Sequence, residues 1–269
     1  MHAESLIEAV LGRGRVYDLG QPVFPGMPMS LFHPPYLFTL MYRHGDKVLA
    51  DGCGAANELM VLSAHTGTHL DALGHIAENG QILGGSSADE VQRGGRGLTQ
   101  HGIETTAPIV ARGVLLDVPA YRGVPRLAGG DPVTGAELAA VAKHQGVEVQ
   151  AGDVVLIRTG WLQLWDDPAA YRGDATGEPG PDASAAEWLA ARQVRASGSD
   201  TIAYEARPAG QSALAAHVVL ITRHGIQILE MVNLEELARD RVYTFLFIAS
   251  PLKLAGATGS PVRPIAIVG

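Results

Sequence analysis

His65-Thr66-Gly67-Thr68-His69-Leu70-Asp71-Ala72-Leu73-Gly74-His75 places three of the chain's ten histidines within a short run. An even spread would put about 0.4 histidines there. Counted from His65, the histidines and the aspartate fall at even offsets. On extended backbone, even offsets point to one side. On a helix, Asp71 and His75 would lie roughly 240° and 280° round from His65, away from His69. Thr66, Gly67 and Thr68 also disfavour helix. The spacing therefore predicts an extended or strand-to-turn segment that converges imidazoles and a carboxylate. Two imidazoles and a carboxylate suit a catalytic divalent metal with an open position. His65, His69 and Asp71 fill that role, and His75 follows as a further ligand or a free acid/base. A lone histidine would more often cap a turn or bond within a core; a set of this density argues for the metal.

A second ion would need ligands from elsewhere in the chain. The best candidates are His217, within an apolar run read as helix, and Glu230, ending the strand Ile226–Leu229. A buried carboxylate must be paired or coordinated. Each has an ordinary alternative, a satisfied core histidine or a solvent-facing strand-end glutamate. His33 and His44 are candidates to line the site from the N-terminal third. Arg207 and Arg223 are candidate carboxylate clamps, with an exposed salt bridge the ordinary alternative for each.

Around these residues the chain alternates strand-like and helical patterns. Runs rich in Val, Ile, Leu and aromatics read as strands over Arg15–Leu19, Val114–Val118, Asp153–Thr159, Thr201–Tyr204, Ile226–Met231 and Tyr243–Ile248. Several are nearly continuously apolar, the pattern of strands buried on both faces. Helices are expected over Ser5–Leu11, Thr134–Gln145, Asp182–Val194, Gln211–Arg223 and Leu234–Arg239. Thr134 with Glu137 makes a capping-box arrangement. Gly84–Gly97 is glycine-rich but lacks the Gly-Lys-Ser/Thr ending of a phosphate loop. Asp166–Ser184 is long and polar and reads either as a plain surface loop or as a rim or lid.

The chain has 269 residues, 46% of them hydrophobic and 18% charged, so wholesale disorder is excluded. Its formal net charge of −8 offers no electrostatic footprint for nucleic acid or an anionic membrane. One cysteine, Cys53, excludes an internal disulfide and a cysteine zinc finger. No signal-like start and no spanning apolar run are visible, which predicts a cytoplasmic protein. A Gly-x-Ser-x-Gly elbow and a Gly-x-Gly-x-x-Gly turn are both missing, which argues against a serine hydrolase and a nucleotide cofactor.

The run from His65 to His75 resembles the His-x-Gly-Thr-His-x-Asp-x-x-x-His signature of the cyclase family, which contains bacterial kynurenine formamidases and isatin hydrolases. Further matches are Asp18-Leu19 with Phe24-Pro25-Gly26, then Gly152 to Trp161, His217 to Glu230 with Asn233-Leu234, and Gly259 to Arg263. This chain carries Leu73 where the formamidases commonly have proline, and its segment from Gly26 to Asp46 is longer than theirs. The resemblance implies one α/β domain over residues 1–269, a swivelling β/β/α fold with a barrel-like mixed sheet flanked by helices. It implies one or two divalent ions per subunit, zinc or manganese, with His65, His69 and Asp71 holding the first and Asp71, His217 and Glu230 the second. It implies His75 as catalytic acid/base, Phe24 beside the substrate, and a homodimer in which N-terminal segments reach the neighbour. The reaction implied is metal-dependent hydrolysis of a small cyclic amide or linear formamide. A cyclase, lyase or lactone hydrolase acting on another small molecule is the alternative.

Overall fold

The computed structural model describes residues 14–92, 94–211 and 213–269. Its strands are β1 (Arg15–Asp18), β2 (Leu37–Tyr42), β3 (Asn57–Val61), β4 (His69–Asp71), β5 (Ile109–Asp117), β6 (Pro132–Val133), β7 (Val154–Arg158), β8 (Gly177–Glu178), β9 (Gly180–Pro181), β10 (Ala196–Ser199), β11 (Arg207–Pro208), β12 (Gln227–Glu230), β13 (Thr244–Ala249), β14 (Gly259–Pro261) and β15 (Ile265–Val268). Nine of them form one curled, half-barrel sheet in the order β1-β15-β13-β5-β7-β10-β12-β4-β14. The central four, β5, β7, β10 and β12, run parallel, and antiparallel strands flank them. A mixed α/β fold with a barrel-like sheet is what the family resemblance implied.

Alternation explains why the apolar runs become strands here. Val114, Leu116, Val155, Ile157 and Ile228 point to one face and pack with the helices. Leu115, Val154, Leu156 and Leu229 point to the other and pack with Phe245, Phe247 and Leu70. Both faces are covered, so the strands need no polar side. Each fully buried aliphatic side chain contributes about 1.5–3 kcal/mol. The helical face is supplied chiefly by α1 (Gly135–Gln145), α2 (Ala183–Ala190) and α3 (Ala215–His217). Thr134 caps α1 through Glu137 N–H, as expected. The reciprocal half of the box is not made, because Glu137 is taken by Arg122.

Several boundaries differ from the sequence reading. Thr201–Tyr204 is a set of tight turns, and the strand lies just before it at Ala196–Ser199. The hydroxyls of Ser199 and Thr201 both donate to the Tyr204 carbonyl and wind the backbone into turns. The helix read over Asp182–Val194 ends at Ala190. That read over Gln211–Arg223 begins at Ala215 and passes after His217 into a π-helical turn, Val218–Arg223. The final helix is Glu235–Arg239. Ser5–Leu11 lies outside the described residues. Among the described residues, no helix is long and apolar enough to cross a membrane.

Candidate metal centre

The run His65 to His75 folds as turn, strand, turn. Gly67 sits at φ +63° in the first turn, a conformation that favours glycine, packed against Val23 and Met27. β4 follows, fully buried between β12 and β14. Its register sets His69 opposite Glu230 and Asp71 opposite Gly259. A side chain on Gly259 would meet the His65 ring at 2.9 Å, so the missing Cβ is what admits that imidazole. His217 arrives from the end of α3.

Five donor residues from these elements meet in one buried cluster. His65 Nδ1 lies 2.9 Å from Asp71 Oδ1, and His69 Nε2 lies 3.6 Å from the same oxygen. His69 Nε2 is 3.1 Å from Glu230 Oε2. His217 Nε2 is 3.2 Å from Glu230 Oε1 and 3.6 Å from Asp71 Oδ2. They form two triads, His65/His69/Asp71 and Asp71/His217/Glu230, each with donor atoms within 4.8 Å of one another. Asp71 belongs to both.

The fit to a metal can be tested on the polar atoms themselves. Six buried side-chain polar atoms lack a hydrogen-bond partner among the described residues, and three of them are His69 Nε2 and both oxygens of Asp71. These atoms approach one another without hydrogen-bond geometry, which is the arrangement expected of ligands aimed at a common ion. A buried polar atom left unpaired costs about 1–3 kcal/mol. The opposite nitrogen of each histidine is fixed. His69 Nδ1 bonds the Gly67 carbonyl at 2.8 Å, and His65 Nε2 meets Thr258 Oγ1 at 2.9 Å. His217 Nδ1 meets Glu205 Oε1 at 2.5 Å. Such outer partners set the tautomer and leave the inward nitrogen's lone pair free. Glu205 also accepts from the backbone N–H groups of Ala216 and His217 and so caps α3. Sequence reasoning missed Glu205, because nothing local ties it to His217.

The electrostatics agree with a cation site. Burial alone would raise the Asp71 carboxyl, but the imidazoles of His75, His217 and His65 hold it well below the usual carboxylate range. Burial is likewise outweighed at Glu230, where His217 and His69 keep the carboxyl low. Burial opposes the charged form of His217, yet Asp71, Glu205 and Glu230 raise it well above the ordinary histidine range.

A family model described as "Putative cyclase" matches residues 17–206. The chain belongs to the cyclase family. It is 30% identical over 225 residues to an isatin hydrolase of Roseibium aggregatum, covering 81% of this chain and 77% of that protein. It is 28% identical over 256 residues to a kynurenine formamidase of Sphingopyxis alaskensis, covering 93% and 97% respectively. Among solved structures, a novel cyclase superposes with a TM-score of 0.87 at 26% identity, covering 99% of this chain and 91% of that one. An isatin hydrolase bound to the product analogue thioisatinate gives 0.76 at 26% identity, covering 100% and 99%.

The other residues picked out for a cyclase-family site are placed unequally. His75 lies with its ring tilted against that of His65, centroids 4.3 Å apart. Burial lowers its pKa to about 4, against the pull of Asp71. His33 stacks on His65 at 5.1 Å, and burial lowers its pKa too. Phe24 is exposed in the turn that ends at Met27, the residue packed on Gly67. His44 lies in the exposed turn between β2 and β3 and joins none of the cluster's ring or hydrogen-bond contacts among the described residues. Arg223 is exposed and paired with Glu78.

Proposed function

We propose that this chain is a metal-dependent amidohydrolase that opens a small cyclic amide or cleaves a small linear formamide. The observation that carries the reading is the convergence of His65, His69, Asp71, His217 and Glu230 in one buried cluster, where His69 Nε2 and both Asp71 oxygens have no hydrogen-bond partner among the described residues. The likeness to an isatin hydrolase and a kynurenine formamidase supports the reaction class. His65, His69 and Asp71 would hold one divalent ion, and Asp71, His217 and Glu230 a second. Mixed nitrogen and oxygen donors suit zinc or manganese. Bound there, such an ion supplies a Lewis acid for the amide carbonyl and acidifies a water.

The remaining work falls to the chain's own groups. Gly67, Thr258 and Glu205 hold three imidazoles in ligating orientation. His75 stands beside the cluster and stays neutral near pH 7, so one of its ring nitrogens can take a proton and deliver it to the departing amide nitrogen. That delivery matters because an amide nitrogen leaves poorly as an anion. Phe24 and His33 would flank the substrate. The exposed apolar hairpin β2–β3 supports a homodimer.

The test begins with chelation of the purified protein and assay against isatin and N-formylkynurenine. Turnover should vanish and return with zinc or manganese; undiminished turnover in the stripped protein overturns the reading. Labelled solvent oxygen should enter the product, whereas a cyclase would incorporate none.

A further inference from the structure

A pocket of about 360 Å³ opens beside the metal centre. Ser30, Leu31 and Phe32 form one wall, and Ile202, Glu178 and Arg207 another. Two links tie it to the cluster. His33 closes a turn onto Ser30 and stacks on His65. Thr201, next to Ile202, accepts from the N–H of Met231, next to Glu230.

The pocket holds an arrangement that the proposed catalysis does not use. Glu178 is fully buried. One of its oxygens accepts from the Ile202 N–H at 3.0 Å and the other pairs with Arg207 Nη2. β8 and β11 bring the two residues together, in a register that sets Arg207 opposite Glu178. Arg207 is therefore anchored through one corner of its fork; its Nε is buried without a partner, and its Nη1 makes no hydrogen bond among the described residues. An anchored guanidinium with unused donors is pre-organised for a planar oxyanion, and less conformational freedom is lost when it binds one. The second arginine of the pocket, Arg172, differs, because Asp174 takes both its Nε and its Nη2. Leu31 and Phe32 present exposed apolar surface on the facing wall.

We propose that Arg207, positioned by Glu178, is the specificity-determining cation of the substrate pocket and reads a carboxylate carried by an aromatic amide substrate away from its scissile bond. This rests on the amidohydrolase reading and extends it to a substrate class. The aromatic body would lie against Leu31 and Phe32. Glu178 is a positioning residue, since both its oxygens are occupied and it touches substrate only through Arg207.

The test compares formanilide with its ring-carboxylated forms on the metal-loaded protein. Wild type should prefer a carboxylated form in kcat/KM. Arg207→Gln should lower that preference by about 10- to 100-fold, the range of a lost charge-assisted hydrogen bond, and mainly through KM. Arg207→Lys keeps a charge opposite Glu178 but loses the fork, and should fall between the two; it also serves if the glutamine variant does not fold. Glu178→Gln should weaken the preference through a looser guanidinium. A preference unchanged in Arg207→Gln, whatever happens to the absolute rates, overturns the proposal. If no formanilide is turned over, the amidohydrolase reading is still judged on isatin and N-formylkynurenine, and the pocket is tested by binding. Calorimetric titration with isophthalate and benzoate should then show isophthalate binding about tenfold tighter in wild type but not in Arg207→Gln. Equal affinities in wild type overturn the role of Arg207.

Discussion

β4 and the hairpin β2–β3 invert the usual rule of burial in opposite senses. β4 is His-Leu-Asp, two polar residues in three, and it is fully buried. The hairpin is built largely of Leu, Phe, Met, Tyr and Val, and every residue of both strands is exposed. A buried charged residue is normally paired or coordinated, and a contiguous exposed apolar patch normally marks an interaction surface. The inversion in β4 thus argues for a bound ion, and the inversion in the hairpin for a second protein surface. Each half of this contrast can be broken separately.

The largest effect should come from Asp71, which belongs to both triads. Asp71→Asn keeps the shape and removes the charge. Metal content by elemental analysis should fall, and turnover should drop by more than about 100-fold, beyond the loss usual for an outer-shell partner. A variant that retained its metal and its rate would show that β4 is polar for some other reason. His75→Ala separates binding from chemistry, because it should keep the metal while losing about 10²–10⁴-fold in rate. Loss of metal instead would make His75 a ligand.

A smaller effect is expected at Glu205. Glu205→Gln keeps one acceptor oxygen for the His217 ring but loses the charge and the second acceptor, which serves the Ala216 N–H. Affinity for zinc, read by competition with a chelating dye, should fall by about tenfold, the low end for such partners. Unchanged affinity would confine Glu205 to capping the helix.

How much of this was legible in the sequence follows from where the signals reside. The spacing of His65, His69, Asp71 and His75 is local; strand geometry aligns His69 with Asp71, and the flanking turns bring His65 and His75 to them. His217 and Glu230 were readable as polar residues in apolar surroundings. Glu205 was not, because its partner stands on another element and the contact exists only once α3 packs. The Glu178–Arg207 pair is hidden for the same reason, since two-residue strands carry no periodicity. β10 is Ala-Ser-Gly-Ser, a poor strand by composition. A Cβ on Gly198 would lie 2.9 Å from Leu156 and 3.0 Å from Leu229, so close packing between β7 and β12 selects the small residues there. Thr201–Tyr204 has the composition of a strand, but its backbone is diverted by hydroxyl-to-carbonyl bonds within the turn. Sequence pattern reported elements that bury an apolar face and was blind to those shaped by neighbours.

The hairpin offers the mildest test. Alternation puts Phe38, Leu40 and Met60 on one face and Leu37, Leu59 and Val61 on the other. Apart from Glu58 on the first face and Thr39 and Asn57 on the second, both faces are apolar, the pattern of strands covered on two sides. Phe38 and Met60 are cross-strand partners. Replacing them together, Phe38→Glu with Met60→Lys, introduces an opposite-charge pair that holds the hairpin. Stability of a single subunit should shift by no more than about 0.5 kcal/mol, as for other exposed positions. If a second copy covers the hairpin, sedimentation should show a dimer in wild type and a subunit-sized species in the double variant, because two charges would enter an apolar interface. A wild type that sediments as a single subunit would leave the hairpin's apolar faces to a different protein, while the case for the ion at β4 would stand untouched.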